Sequence, residues 1–183
     1  HEVRFFWPLW MILWASLYAL FLSYDIFNWY VTLELSGLSA VALITLTGTS
    51  TAFRAAMRYL LLALCASLFY LAGVAILYAA YGVLDVESLR RAVAVDDGHV
   101  SFALAFMAGG LCVKAALFPV HFWLPPAHSS APSPVSAVLS ALVVKGGFYI
   151  LLRLMTDLFP NALSAPFAEG FGVLGAAAIL WGS

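Results

Sequence analysis

The stretch KAALFPVHFWLPPAH, Lys114 to His128, followed by an uncharged apolar run that holds Lys145, decides how this chain is read. It sets two lysines where hydrocarbon should be. A charged side chain at bilayer depth costs a few kcal/mol, so in membrane helices such residues pair, line water and serve a function. Pro119 follows Lys114 closely and has no N–H to give the carbonyl of Ala115, so a helix running through this stretch is expected to break or kink there. Broken helices at depth are tolerated where they line a water-filled cavity, and in transporters they mark the ion site.

Composition agrees with a membrane setting. The chain is 64% hydrophobic and 9% charged, with a mean hydropathy of +1.01, against roughly 25% charged residues in globular domains. A net charge of -1 supplies no clustered basic surface, so nucleic acid is excluded as a partner. Cys65 and Cys112 stand alone in apolar runs without CxxC spacing or a neighbouring histidine. They read as packing residues, and neither a metal site nor a disulfide framework is expected. The chain opens on His1 and stops inside an apolar run at Trp181-Gly-Ser183, so a fragment of something longer is expected.

At about twenty apolar residues per crossing, about six spans emerge: 5–23, 26–46, 56–81, 100–124, 133–156 and one from 166. The fold class predicted is an all-α, polytopic membrane helix bundle with one proline-broken helix, because lipid forbids unpaired backbone and the runs are too long and uniform for barrel strands. The segment from Tyr81 to Val100 collects Asp85, Glu87, Arg90, Arg91, Asp96 and Asp97 and reads as a solvated connection. Positive residues divide evenly, with Arg4, Arg54 and Arg58 on one side and Arg90, Arg91 and Arg153 on the other. Their placement leans the first side towards the cytoplasm.

Helical rise gives depth. Lys114 lies roughly 15 Å, and Lys145 and Glu34 roughly 18 Å, from the ends of their spans on the first side. Three ionisable groups near mid-membrane predict a Glu34–lysine pair, with a second lysine less fully compensated and so ready to exchange protons. The competing reading is a static pair that only fixes helix register; snorkelling falls short of the surface from mid-span. His121 and His128 lie in the uncharged connection before the fifth span, placed either to pass protons between water and the lysines or to cap helix ends. Ser133, Ser136 and Ser140 recur at helical spacing and read as a small-residue packing seam in preference to a water-holding stripe. Thr32, Ser36 and Ser39 around Glu34 leave both readings open. Asp25 opens the second span as a helix cap, and Trp7, Trp29 and Trp123 read as interface anchors.

KAALFPVHFWLPPAHSSAPSPVSAVLSALVVKGGFYILLR, Lys114 to Arg153, resembles the signature of the proton-conducting antiporter-like membrane subunits of respiratory complex I, Mrp-type cation/proton antiporters and membrane-bound hydrogenases. DIFNWYVTLELSGLSAVALI, Asp25 to Ile44, is similar to the family's helix with a buried glutamate, here Glu34, and RYLLLALCASLFYLAGVAILYAAYG fits the span that follows. The resemblance implies a bundle of about fourteen helices with two inverted repeats, each containing a broken helix. Residues 1–183 would then be a fragment of one antiporter-like transmembrane domain, covering the first inverted repeat and the start of the next. It further implies that Glu34 and Lys114 form a switching pair and that Lys145 continues the proton path. Leu139 or Ser140 stands where some members carry a histidine, and there the chain departs from the family.

Together these readings give an ion-translocating membrane subunit that moves protons through Glu34, Lys114 and Lys145, with His121 and His128 as relays and Pro119 as the helix break. No cofactor is expected in this chain. Electron transfer, if the complex is a NADH:quinone oxidoreductase or hydrogenase, would take place in partner subunits. Expected partners are other membrane subunits, the lipid bilayer and protons, with sodium or potassium exchanged in the antiporter case. The expected location is the bacterial inner membrane. The alternative is a structural or assembly subunit whose buried charges only fix helix packing.

Overall fold

The computed structural model describes residues 2–93, 98–159 and 165–182. Among the described residues, four helices are long and apolar enough to cross a membrane, at Arg4–Leu22, Ile26–Thr45, Ser50–Tyr81 and Ser133–Leu158, and two shorter apolar helices occupy Gly98–Lys114 and Glu169–Trp181. Their sequence positions match the six predicted spans, and the differences in their bounds have local causes.

Helix α1 (Glu2–Leu22) leads through a short turn into α2 (Ile26–Thr45). The Asp25 carboxylate accepts the Phe27 and Asn28 backbone N–H groups at 2.9 and 2.8 Å, satisfying donors that the first turn of a helix cannot satisfy itself. Helix α3 (Ser50–Tyr81) has 32 residues and begins earlier than hydropathy alone predicts, because the Thr49 hydroxyl caps it at the Ala52 N–H and Ala52, Ala55 and Ala56 are buried. At 1.5 Å per residue it is about 48 Å long, more than the roughly 30 Å hydrocarbon layer requires. Arg54 and Arg58 therefore ride on its first turns. It ends on Gly82, whose left-handed φ of 68° suits a residue without Cβ.

The charged connection is not simply solvated. It contains α4 (Val86–Ala92), where Val86 and Leu89 are fully buried. The Ile26 N–H bonds to the Leu84 carbonyl and the Val86 N–H to the Tyr24 carbonyl, tying the segment to the start of α2. Only one face of α4 is charged, and Arg91 pairs there with Glu87 at 2.8 Å. The Asp85 carboxyl that caps α4 is held below its ordinary value, first by the Ser88 N–H. That cap is intact at neutral pH and weakens as pH falls through the lowered value.

Helix α5 (Gly98–Lys114) ends five residues before Pro119 in a Schellman arrangement: Ala116 adopts φ 49°, Leu117 N–H bonds to the Cys112 carbonyl at 2.9 Å and Ala116 N–H to the Val113 carbonyl at 3.1 Å. The break thus precedes the proline that announces it, and an alanine occupies the left-handed position that glycine usually fills. A 3₁₀ turn (Val120–Trp123) leads to α6 (Leu124–Ser130), and α7 (Ser133–Val138) continues through a π turn (Leu139–Val143) into α8 (Val144–Arg153). A second π turn (Leu154–Leu158) precedes α9 (Ala165–Gly182).

Helix α1 packs on α2, α2 on α3, α3 on α5 and α5 on α8. The α3–α5 seam is drawn tight by two glycines. A Cβ at Gly110 would collide with the Ala66 carbonyl and stand 2.9 Å from the Tyr70 nitrogen, and one at Gly73 would collide with Met107. Small residues let membrane helices approach backbone to backbone. Two apolar clusters result: one gathers Trp29, Leu33, Tyr70, Leu111 and Ile150, the other Leu13, Leu43, Tyr59, Trp123 and Val143. Trp29 and Trp123 are therefore core residues and not interface anchors; their ring N–H groups are satisfied by the Ser23 and Val113 carbonyls, each at 3.1 Å. Trp7 is exposed, as an anchor would be.

Gly110→Ala should destabilise the bundle by about 1–3 kcal/mol, since overpacking against backbone outweighs the helical preference for alanine. Gly109→Ala, which meets nothing within 4 Å, should be neutral or better. Thermal unfolding of the purified assembly in detergent compares the two.

Candidate functional site

Lys114 Nζ lies 2.7 Å from Glu34 Oε1, with the two side chains 8% and 16% exposed. Glu34 belongs to α2 and Lys114 is the last residue of α5, so the pair joins helices that are eighty residues apart in sequence. Ser67 on α3, itself buried, donates its hydroxyl proton to the same carboxylate oxygen. Three helices thus meet on one oxygen. Glu34 falls between Leu33 of the first apolar cluster and Ala40 of the second, and Ser67 between Tyr70 and Ala63 in the same way. The ion pair occupies the junction of two apolar plugs. In such surroundings neither charge is tolerable without the other.

The broken helix shapes the rest. Helical side chains lean towards the N-terminus of their helix, which carries the Lys114 stem back into the bundle. The Trp123 indole N–H bonds to the Val113 carbonyl, which also accepts the Ala116 N–H at the end of α5. The Trp123 ring stacks on Tyr59 of α3 with centroids 4.5 Å apart and planes 6° from parallel. Gly147 of α8 presses on the same point, where a Cβ would come within 3.1 Å of the Ala115 nitrogen and 3.3 Å of Lys114 Cβ. A cavity of about 20 Å³ lies beside the pair, walled by Ser36, Gly37, Tyr59, Lys114, Trp123 and neighbouring apolar side chains.

Lys145 is elsewhere. It is exposed, and its ammonium donates to the Ser140 carbonyl at 3.1 Å. Residues five apart are about 140° apart around an α-helix, but the Leu139–Val143 π turn brings them into line. Ser133, Ser136 and Ser140 line an open groove together with His128, so among the described residues the serine stripe is not the packing seam preferred from sequence. His128 Nδ1 and Ser136 Oγ are 2.8 Å apart. Partial burial holds the His128 imidazole below the ordinary histidine value. His121 sits on the 3₁₀ turn, where its Nδ1 is buried without a hydrogen bond and its ring faces Phe118 at 5.7 Å. Among the described residues, then, Glu34 and Lys114 meet, His128 lies in the separate serine-lined groove, Lys145 is tied to that groove through the Ser140 carbonyl, and His121 joins neither.

Ser36, Ser39 and Thr32 all return their hydroxyl protons to carbonyls of their own helix. Sequence reasoning passed over Ser67, Tyr59 and Gly147. For the first two a signal existed: Tyr59, Ala63, Ala66, Ser67, Tyr70 and Gly73 form a helical stripe of small and polar residues on an otherwise leucine-rich α3, and all are buried. Arg153 is likewise built in. Its guanidinium lies over the rings of Tyr24, Trp29 and Tyr149, pairs with Asp157 and donates to the Tyr149 hydroxyl at 2.6 Å.

Residues 23–183 match the family model described as NADH:quinone oxidoreductase/Mrp antiporter, transmembrane. The chain is 40% identical to an NADH-quinone oxidoreductase subunit of Desulforudis audaxviator, over 97% of this chain and 36% of that protein. It is 30% identical to an Na(+)/H(+) antiporter subunit of Alkalihalophilus pseudofirmus, over 96% of this chain and 38% of that protein. A chain in the structure of the Mrp complex from Dietzia sp. superposes with a TM-score of 0.77 at 29% identity, over 84% of this chain and 29% of that one. The chain therefore spans little more than a third of the length of these curated relatives.

The geometry of the pair sets an expectation for stability. Lys114→Met or Glu34→Met alone should cost about 3–5 kcal/mol by stranding a buried charge, whereas the double variant should recover most of that loss. Thermal unfolding of all three in detergent makes the comparison.

Proposed function

Because the chain belongs to the NADH:quinone oxidoreductase/Mrp antiporter transmembrane family, an integral membrane family of helical subunits, we propose that it is part of an ion-translocating subunit that moves protons through Glu34, Lys114 and Lys145. The observation that carries this reading is the 2.7 Å Glu34–Lys114 pair held at the junction of two apolar clusters. While the pair is closed, the carboxylate favours protonated Lys114. When it opens, burial disfavours the lone ammonium, and Lys114 gives up its proton. Lys145 is the next group, reached from water along the His128, Ser136 and Ser140 groove. His121, with an unengaged buried nitrogen beside the break, is assigned to the same path, and the break near Pro119 supplies the irregular backbone that such a site needs.

In this reading residues 1–183 form the first inverted repeat and the beginning of the next in a longer antiporter-like domain. The complete subunit works beside other membrane subunits in a bacterial inner membrane. Protons are its substrate, and sodium or potassium would exchange for them in an Mrp-type complex. In a complex I-like assembly, redox chemistry stays with partner subunits.

The test is proton flux in proteoliposomes holding the full-length complex. The Glu34→Met/Lys114→Met double variant and Lys145→Met, compared at matched assembly with and without a sodium gradient, should each fall to less than about a tenth of wild-type flux, a barrier rise of at least ~1.4 kcal/mol. Undiminished flux in the stable double variant would overturn the relay and leave the pair as scaffolding. Dependence on sodium would favour exchange over redox-driven pumping.

A further inference from the structure

The cavity beside the ion pair has a composition that the pair itself does not explain. Its volume of about 20 Å³ exceeds the roughly 10–15 Å³ that one water molecule needs, and a buried water is stable where it finds two to four polar partners. Three are at hand. The Tyr59 side chain is 4% exposed, and its hydroxyl has no hydrogen bond to any described residue while its ring is fixed on Trp123. Ser36 Oγ gives its proton to the Leu33 carbonyl and so keeps lone pairs that can accept. Lys114 engages one of its three N–H groups with Glu34 and has two more to donate.

We propose that this cavity is a binding site for a single water molecule, held between the Tyr59 hydroxyl, Ser36 Oγ and the Lys114 ammonium, and that this water serves as the alternative acceptor for Lys114 when the Glu34 contact opens. The water site stands on the cavity alone; its consequence for transport rests on the relay reading above. The energetic reason is direct. An ammonium leaving a carboxylate inside an apolar bundle is costly unless another acceptor waits within reach. A water already bound by Tyr59 and Ser36 supplies that acceptor without opening either apolar cluster. Trp123 closes one wall and is tied to Val113 at the end of α5, so the broken segment and the water share a boundary.

Gly37 gives the means to test this. A Cβ there would sit 3.9 Å from the Tyr59 hydroxyl, an ordinary contact, so Gly37→Ala fills space in the cavity without straining the fold. Tyr59→Phe keeps the ring stack and removes the hydroxyl. The full-length complex is imaged by electron cryo-microscopy, at a resolution that shows ordered water elsewhere in the bundle, and assayed for proton flux. The wild type is expected to show one water within hydrogen-bond reach of Tyr59 and Ser36. Both variants should lose it, with unchanged thermal stability and flux lowered about tenfold. No water in the wild-type cavity, or water retained in Gly37→Ala, overturns the site. Water lost from both variants at undiminished flux overturns its role as the alternative acceptor. Failure of the relay reading shows separately, as undiminished flux in the Glu34 and Lys114 double variant.

Discussion

An ammonium and a carboxylate cannot be placed inside an apolar bundle independently, and most of this structure follows from holding Glu34 and Lys114 together. The carboxylate comes from the middle of α2 and the ammonium from the last residue of α5, so both helices must end their approach in one register. Helix α3 sets that register. Gly73 and Gly110 let it touch the α5 backbone, which fixes the height at which Ser67 meets the Glu34 oxygen. A helix one Cβ further away would leave the serine short and the pair with one hydrogen bond fewer. The break after Lys114 serves the same end, because a helix that stops there leaves carbonyls for Trp123 to bind and brings the indole over Tyr59 as one wall of the polar pocket.

The chain also separates two polar environments by exposure. Around Glu34, the Ser36 and Ser39 hydroxyls are turned back into their own helix, the Ser67 hydroxyl meets the carboxylate, and the two charges face one another. Around Lys145, the serines and His128 face an open groove. The boundary between the two is apolar: Val143, on the π turn that aligns Lys145 with Ser140, belongs to the second apolar cluster and also walls the cavity beside Lys114. A single irregular turn thus has one neighbour in each environment.

The parts legible in the sequence were those where a residue contradicts its surroundings. Lys114 and Glu34 stand out because charge is expensive in a hydrocarbon run, and helical rise alone put them at one depth. The parts not legible were those where packing decides. Nothing in Leu139–Val143 marks a π turn, since it contains no glycine or proline. Pro119 announced a broken helix, but the break is placed by Ala116, which takes a left-handed conformation that its side chain does not predict. Trp29 and Trp123 resembled interface anchors because their indoles lie near predicted span ends, and the carbonyls that satisfy their N–H groups become available only in the folded turn. The charged connection looked solvated because Val86 and Leu89 are few among many ionisable residues, yet those two side chains dock it.

The same logic explains why the far end of the bundle is held so differently. Arg153 is also a cation in an apolar helix, but aromatic faces from Tyr24, Trp29 and Tyr149 surround it and Asp157 lies one turn away on its own helix. Its partners are local or rigid, and a guanidinium keeps its proton at any physiological pH. That arrangement suits a permanent fastening of the end of α8 to the start of α2. Lys114 has the opposite design: its carboxylate comes from a different helix, its backbone sits at a break, and an amine can lose its proton. Of these two cations, only the lysine is built so that separation from its partner changes its charge.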